Sequence, residues 1–172
     1  MKKHSGMRPQ DVVVLLKIIS LNHEPWMNID LSRSLDISAS EISESLNRSR
    51  IADLVDSDKR KVFRESLLEF LQSGIKYVYP QKPGSLVRGM PTAHSAKPLS
   101  EIISSDEPYV WPDPDGVLRG QAIEPLYPGV VEASKKDQKL YELLSLTDAI
   151  RVGRAREHLI AVKELEKRIM GS

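Results

Sequence analysis

Between Ser38 and Arg50 the chain reads Ser38-Ala39-Ser40-Glu41-Ile42-Ser43-Glu44-Ser45-Leu46-Asn47-Arg48-Ser49-Arg50. This run holds no nucleophile–base pair and no metal-ligand spacing. It holds hydrogen-bonding groups on short stems, which is the chemistry of recognition. Asparagine can pair with adenine and arginine with guanine, glutamate can accept from a cytosine amine, and serine hydroxyls reach base edges or phosphates. Ser38 followed three residues later by Glu41 is a capping box, so a helix is expected to open there. At 3.6 residues per turn Ala39, Ile42, Leu46 and Ser49 share one side. Ser40, Glu44 and Asn47 point the opposite way, with Ser43 and Arg48 beside them. Ile51 would sit on that polar face, so the helix is expected to end near Arg50. The candidate DNA-reading residues are Ser38, Ser40, Ser43, Glu44, Asn47, Arg48 and Arg50.

A second group follows. Asp56-Ser57-Asp58 reads as a turn, and Lys59, Arg60, Lys61 and Arg64 form a basic cluster behind it. Such a cluster suits phosphate contact, although a solvated helix start has the same composition. Segment 28–50 sets three arginines (33, 48, 50) against four carboxylates (30, 36, 41, 44). Phosphate neutralisation must therefore come from Lys59, Arg60, Lys61 and Arg64, with Lys2, Lys3 and Arg8 as further candidates.

Other chemistry is missing. None of His4, His23, His94 and His158 has metal spacing, and there is no phosphate loop, dinucleotide fingerprint or nucleophile elbow. Asp113-Pro114-Asp115-Gly116 reads as a hairpin turn rather than a calcium loop. Arg151 to Arg156 reads as a solvated helix face, and Tyr77, Tyr79, Tyr109 and Trp111 as strand aromatics packing a core. The expectation is a non-enzyme without cofactor or metal.

The elements that must position these groups follow from periodicity and punctuation. A first helix is expected from Pro9 to Leu21, with Val12, Leu15, Leu16 and Ile19 as its stripe. A second is capped by Asn28, buries Leu31 and Leu35, and breaks at Asp36; Ile37 plugs the angle before the helix opened by Ser38. A fourth covers Phe63 to Ser73, with Phe63, Leu67, Phe70 and Leu71 inward and Gly74 as its stop. Ile75 to Tyr79 alternates as a strand. Residues 80–97 read as a long loop, Leu99 to Ser104 as a short helix, and Tyr109–Trp111 with Val117–Arg119 as a hairpin. Leu140, Leu143, Leu144 and Thr147 mark one late helix. Ile150 to Ile169 marks another, with Ala155, Leu159, Val162, Leu165 and Ile169 as its stripe and Gly153 as a kink. The fold class is mainly α (α+β): residues 8–79 a winged helix-turn-helix, 80–134 a Pro/Gly-rich loop and β-hairpin segment, and 135–170 a helical dimerisation or partner-binding region.

Composition sets the bounds. The 172 residues carry 25 Lys and Arg against 24 Asp and Glu, so any affinity for nucleic acid must come from local patches. The absence of cysteine excludes disulfides and thiolate sites and fits a reducing cytoplasm. No apolar run approaches a membrane span, and the apolar stretch behind the basic start is split by Lys17, so neither a membrane segment nor a signal peptide is expected.

The stretch from Ile29 to Arg48 resembles the helix-turn-helix of MarR-type winged-helix regulators, in which a leucine-bounded helix leads through a small residue and an apolar one into a serine-rich recognition helix. The resemblance covers about residues 10–60. It implies a dimeric repressor on a palindromic operator, with Ser40, Ser43, Asn47 and Arg48 in the groove and the segment after Val55 as the wing. Two departures stand out: the visible wing is very short, and no long dimerisation helix precedes the motif, so the C-terminal helices are expected to pair protomers. An alternative is an antitoxin-like protein that binds a toxin-like partner through its C-terminal half and autoregulates its operon. A third reading is a regulator with an effector pocket between its halves.

Overall fold

The computed structural model describes residues 6–171; Lys2 and Lys3 lie outside them. Helix α1 (Pro9–Ser20) has Pro9 in its first turn, and every residue from Asp11 to Ser20 is buried. The expected single stripe is thus too narrow. Val13, Val14 and Ile18 complete an apolar surface almost all round, the signature of an interior helix. Helix α2 (Asn28–Leu35) buries Leu31 and Leu35. Its start is served by Asp30, not Asn28: Asp30 Oδ2 accepts the Met27 N–H at 2.8 Å. Asp36 takes the left-handed conformation (φ 54°), and buried Ile37 closes the turn into α3 (Ala39–Ile51).

Beyond α3 the chain makes a hairpin reduced to one bridge, Val55 opposite Val62, flanked by Phe63 N–H to Leu54 O at 2.8 Å. Helix α4 (Arg64–Ser73) buries Leu67 and Leu71, whereas Phe63, expected inside, caps the helix and is 42% exposed. Residues 75–78 form a helical turn, α5 (Ile75–Val78), not a strand. Five alternating residues fit one helical turn as well; here Ile75 is buried and Tyr79, just past the turn, packs half-buried against the core and Phe70 as expected, whereas Tyr77, expected inside, is 73% exposed.

The middle segment holds three strands: β1 (Leu86–Pro91), β2 (Tyr109–Pro112) and β3 (Leu118–Ala122). They close into a small barrel in which β1 is antiparallel to both others and β2 is parallel to β3. The expected hairpin is therefore corrected. Gly116 N–H does bond Asp113 O at 2.9 Å, but β1, which the sequence hides in an apparent loop, takes an antiparallel place beside each of the two strands. Glycine makes this closure possible: a Cβ on Gly89 would lie 2.1 Å from Trp111 O, and one on Gly116 would lie 2.3 Å from Gly89 C. The predicted helix over 99–104 is only a 3-10 turn, Leu99–Glu101, preceded by another at Ala93–Ser95.

Helix α6 (Val130–Lys136) leads into α7 (Gln138–Val152), which is buried without a break from Leu143 to Ile150. Helix α8 (Ala155–Met170) starts later than predicted, because Gly153 caps α7 instead of kinking a continuous helix. Its inner face is Ala161, Leu165 and Ile169; Leu159, placed on the expected stripe, is 65% exposed. One core cluster runs through all three sequence zones, from Val12 through Trp111 to Ile169. From Leu143 to Ile150 α7 is enclosed by its own chain, while Gln138 and Lys139 in its first turn are exposed. Among the described residues no helix is long and apolar enough to cross a membrane.

Candidate nucleic-acid interface

The serine-rich helix is fixed from behind. Asp11, in the first turn of α1 and 0% exposed, accepts from the Arg8 N–H (2.8 Å), from Ser45 Oγ (2.6 Å) and from two donors on one edge of the Arg48 guanidinium (Nε 2.8 Å, Nη2 2.8 Å). Glu41 Oε1 takes a further bond from Arg48 Nη2 at 2.7 Å and one from Gln10 at 2.6 Å. The Asp11 hydrogen bonds, against the opposing effect of burial, raise the Arg48 pKa further above the arginine range. A bidentate arginine–carboxylate pair is both strong and directional. It sets the rotation of α3 about its axis and so decides which residues face out.

This corrects the outward placement of Arg48. The residue is 8% exposed and held inside. One position on from Asn47, it sits 100° further round the helix, enough to reach the carboxylate on α1. Half of the expected capping box is present: Glu41 N–H donates to Ser38 Oγ at 3.2 Å, while the Glu41 carboxylate turns to Arg48 instead of back to Ser38.

What α3 leaves outside matches the expected recognition set, while Ala39, expected on the inner side, is exposed as well. Ser38, Ser40, Ser43, Glu44 and Arg50 are exposed and Asn47 is half-exposed. Ser38 and Ser40 hydroxyls lie 3.2 Å apart, and Arg50 NH2 donates to Asn47 Oδ1 at 2.9 Å. The last pair presents an amide and a guanidinium side by side, ordered before any ligand arrives.

The basic cluster divides in two. The Arg60 guanidinium carbon lies over the Trp26 ring, 3.9 Å from its centroid, and the side chain donates to the Trp26 carbonyl. Arg64 NH1 donates to Ile169 O at 2.6 Å, satisfying a carbonyl at the end of α8. Those guanidiniums hold the hairpin and α8 in place. Lys59 and Lys61 have no ion-pair partner among the described residues and stand on the hairpin turn, where Lys59 is left-handed (φ 58°). Asp56 fixes that turn. The backbone N–H groups of Arg60 (2.8 Å) and Lys61 (3.1 Å) bond its carboxylate and hold its pKa below the usual value.

Sequence reasoning missed Asp11 as the residue that orients this surface. The signal was there: a carboxylate opening an otherwise apolar interior helix needs a buried cation. It also took Arg151 for a solvated residue. Arg151 is bound to Asp148 (3.0 Å) and to Tyr79 O (3.0 Å). No group of His, Asp and Glu suited to a metal ion occurs among the described residues. Comparisons of the chain with known protein families, with curated proteins and with solved structures find no match.

Proposed function

We propose that this chain is a sequence-specific regulator of transcription that binds double-stranded DNA through a winged helix-turn-helix. The observation that carries the reading is the asymmetry of α3. One side is locked to α1 by the Asp11–Arg48 pair, and the other is an uncovered row of short polar side chains. A helix fixed in rotation and polar outward is what major-groove readout requires. In this reading α3 enters the groove, with Ser40, Ser43, Asn47 and Arg50 toward base edges. Lys59 and Lys61 on the single-bridge hairpin, a minimal wing, meet the phosphates. This also accords with the MarR-type resemblance. Pairing of protomers into a dimeric repressor falls to the outer side of α8, where Leu159 is exposed.

The test is binding of the purified chain to the promoter fragment of its own gene, titrated with salt, beside Ser43→Ala/Asn47→Ala. Binding that discriminates against unrelated DNA, and loses that discrimination in the variant, supports the reading; equal affinity for all sequences removes it. Arg48 is not used as the probe, since its loss would disturb the fold. A second reading, the antitoxin-like protein that binds a partner through its C-terminal half, is favoured by the exposed apolar side chains of Ile102 and Val117. Its test is co-purification of a specific chain that Ile102→Ser/Val117→Ser no longer retains.

A further inference from the structure

Across the β1–β3 ladder Arg88 stands directly opposite Arg119. The Arg88 carbonyl accepts the Asp113 N–H at 3.0 Å, so the main-chain groups of residue 88 face β2. The Arg88–Arg119 pair is therefore of the non-hydrogen-bonded kind, in which opposed side chains stand closest, with Cβ atoms about 4.5–5.5 Å apart. Like charges so placed destabilise a sheet. Both arginines are exposed, and neither has an ion-pair partner among the described residues. Asp113, beside the Arg88 carbonyl, gives its carboxylate to Lys135 at 3.0 Å. The strands that carry the pair are rigid: β1 is paired on both edges, and the glycines at 89 and 116 bring the backbones into contact.

We propose that Arg88 and Arg119 form a phosphate-binding site that grips the backbone of duplex DNA outside the α3 surface. Two guanidinium forks on one rigid face offer parallel N–H donors to the oxygens of a phosphodiester, the geometry in which arginine exceeds lysine. The next opposed pair, Leu86 and Gln121, extends the face with one apolar and one amide side chain. Protein interface cores are rich in exposed aromatic residues, whereas the two aromatics on this face, Tyr109 opposite Gln121 and Trp111 opposite Met90, are taken up by the fold, Tyr109 half-buried against His94 and Trp111 buried. Polar, positive faces are the mark of DNA contact. The site rests on the DNA-binding reading and adds to it a second, sequence-independent grip.

The experiment uses the full chain and a mixed-sequence duplex two helical turns long, with affinity measured by fluorescence anisotropy against salt. Arg88→Gln/Arg119→Gln is compared with Arg88→Lys/Arg119→Lys and with Ser43→Ala/Asn47→Ala. The Gln pair is expected to bind more weakly and to lower the salt slope by about 2, one counterion per lost contact. The Lys pair should keep the slope while losing part of the affinity. The Ser43/Asn47 variant should keep the slope on this duplex. The urea midpoint of the free Gln pair should rise, because the opposed charges are gone, which also shows that the variant folds. If the wild-type chain binds the duplex and the Gln pair binds it with the same slope, the site is overturned while DNA binding stands. If the wild-type chain binds no duplex, both fall. If poly-glutamate displaces the duplex from the wild-type chain at equal charge and from the Gln pair no longer, the pair serves an acidic protein and the phosphate assignment is overturned.

Discussion

The α3 region and the β1–β3 barrel both carry arginines, and they treat them in opposite ways. Around α3 each one near a buried acceptor has been taken up by the fold: Arg48 by Asp11, Arg60 by Trp26, Arg64 by the Ile169 carbonyl. On the barrel Arg88 and Arg119 face each other with no side-chain acceptor among the described residues. A guanidinium is the cation best able to satisfy several oxygens in a fixed plane, so a fold takes it up first. Lysines, with a mobile point charge, are left outside at Lys59 and Lys61. A basic cluster in the sequence therefore overstates the charge available to a ligand where arginines adjoin a core, and an isolated arginine on a thin sheet understates it.

The comparison breaks most readily at Arg48. Arg48→Met leaves the Asp11 carboxylate buried and unpaired, and removal of one partner from such a pair costs about 3–5 kcal/mol. Denaturant unfolding should show that loss, and Asp11→Leu/Arg48→Met should recover most of it, because two apolar residues restore a balanced interior. A double variant as unstable as the single one would show that the pair is not what fixes α3. In the barrel the largest effect is steric, not ionic. Gly89→Ala sets a methyl group 2.1 Å from the Trp111 carbonyl oxygen, closer than any real contact. The strands must part, at a cost of about 3 kcal/mol, and the Trp111 fluorescence should change with them. An unaltered midpoint would mean that the barrel is looser than its register implies.

Two aspartates at the ends of α7 sharpen the comparison on a smaller scale. Asp137 begins the helix; burial works to raise its pKa, but Lys17 (2.7 Å), the Leu140 N–H (3.0 Å) and Ser20 (2.8 Å) hold it below the usual value. Asp148 lies in the last turns, fully buried, where desolvation raises its pKa against the pull of Arg151, Thr92 (2.7 Å) and Trp111 (2.6 Å). The signs follow by linkage. Ionised Asp137 contributes stability above the unfolded aspartate pKa, ~3.9, and that contribution fades as pH falls through the lower folded value. The Asp148 contribution is full below ~3.9 and fades as pH rises through its higher folded value. Urea midpoints between about pH 3 and about pH 7 should show Asp137→Asn weakest relative to wild type near neutrality. Asp148→Asn should be weakest relative to wild type in acid. Parallel profiles for the two variants would remove the assignment.

The local grammar of the first fifty residues was legible. Pro9, Asp36 in its left-handed turn, and Ser38 as cap each stand where the residue type demands. The outward set Ser40, Ser43, Glu44 and Asn47 followed from periodicity alone. What failed was decided at long range. Arg48 was misplaced because its partner lies 37 residues away on another helix. Strand β1 was invisible because Arg88-Gly89 reads as a loop until the barrel supplies its neighbours. Ile75 to Tyr79 alternates too briefly to tell a strand from a helical turn. Leu159 was drawn inward by a stripe that fitted the spacing, but α8 is rotated so that Ala161, Leu165 and Ile169 meet the core.

The smallest structural effect tests the functional side of the comparison most cleanly. The ammonium groups of Lys59 and Lys61 form no ion pair among the described residues, and the hairpin beneath them is held by Asp56, by the Val55–Val62 bridge and by Arg60 on Trp26. Lys59→Gln/Lys61→Gln should accordingly leave the urea midpoint unchanged, as surface substitutions away from such features usually do. If the hairpin is a wing, the same variant lowers the salt slope of DNA binding by about 2 and weakens binding equally on all sequences, because phosphate contacts carry no sequence information. Loss of discrimination between sequences would place the lysines in a groove instead. An unchanged slope would mean that the hairpin stands clear of the duplex and that α3 docks without it. The cations available to DNA would then be those of the barrel, Arg88 and Arg119.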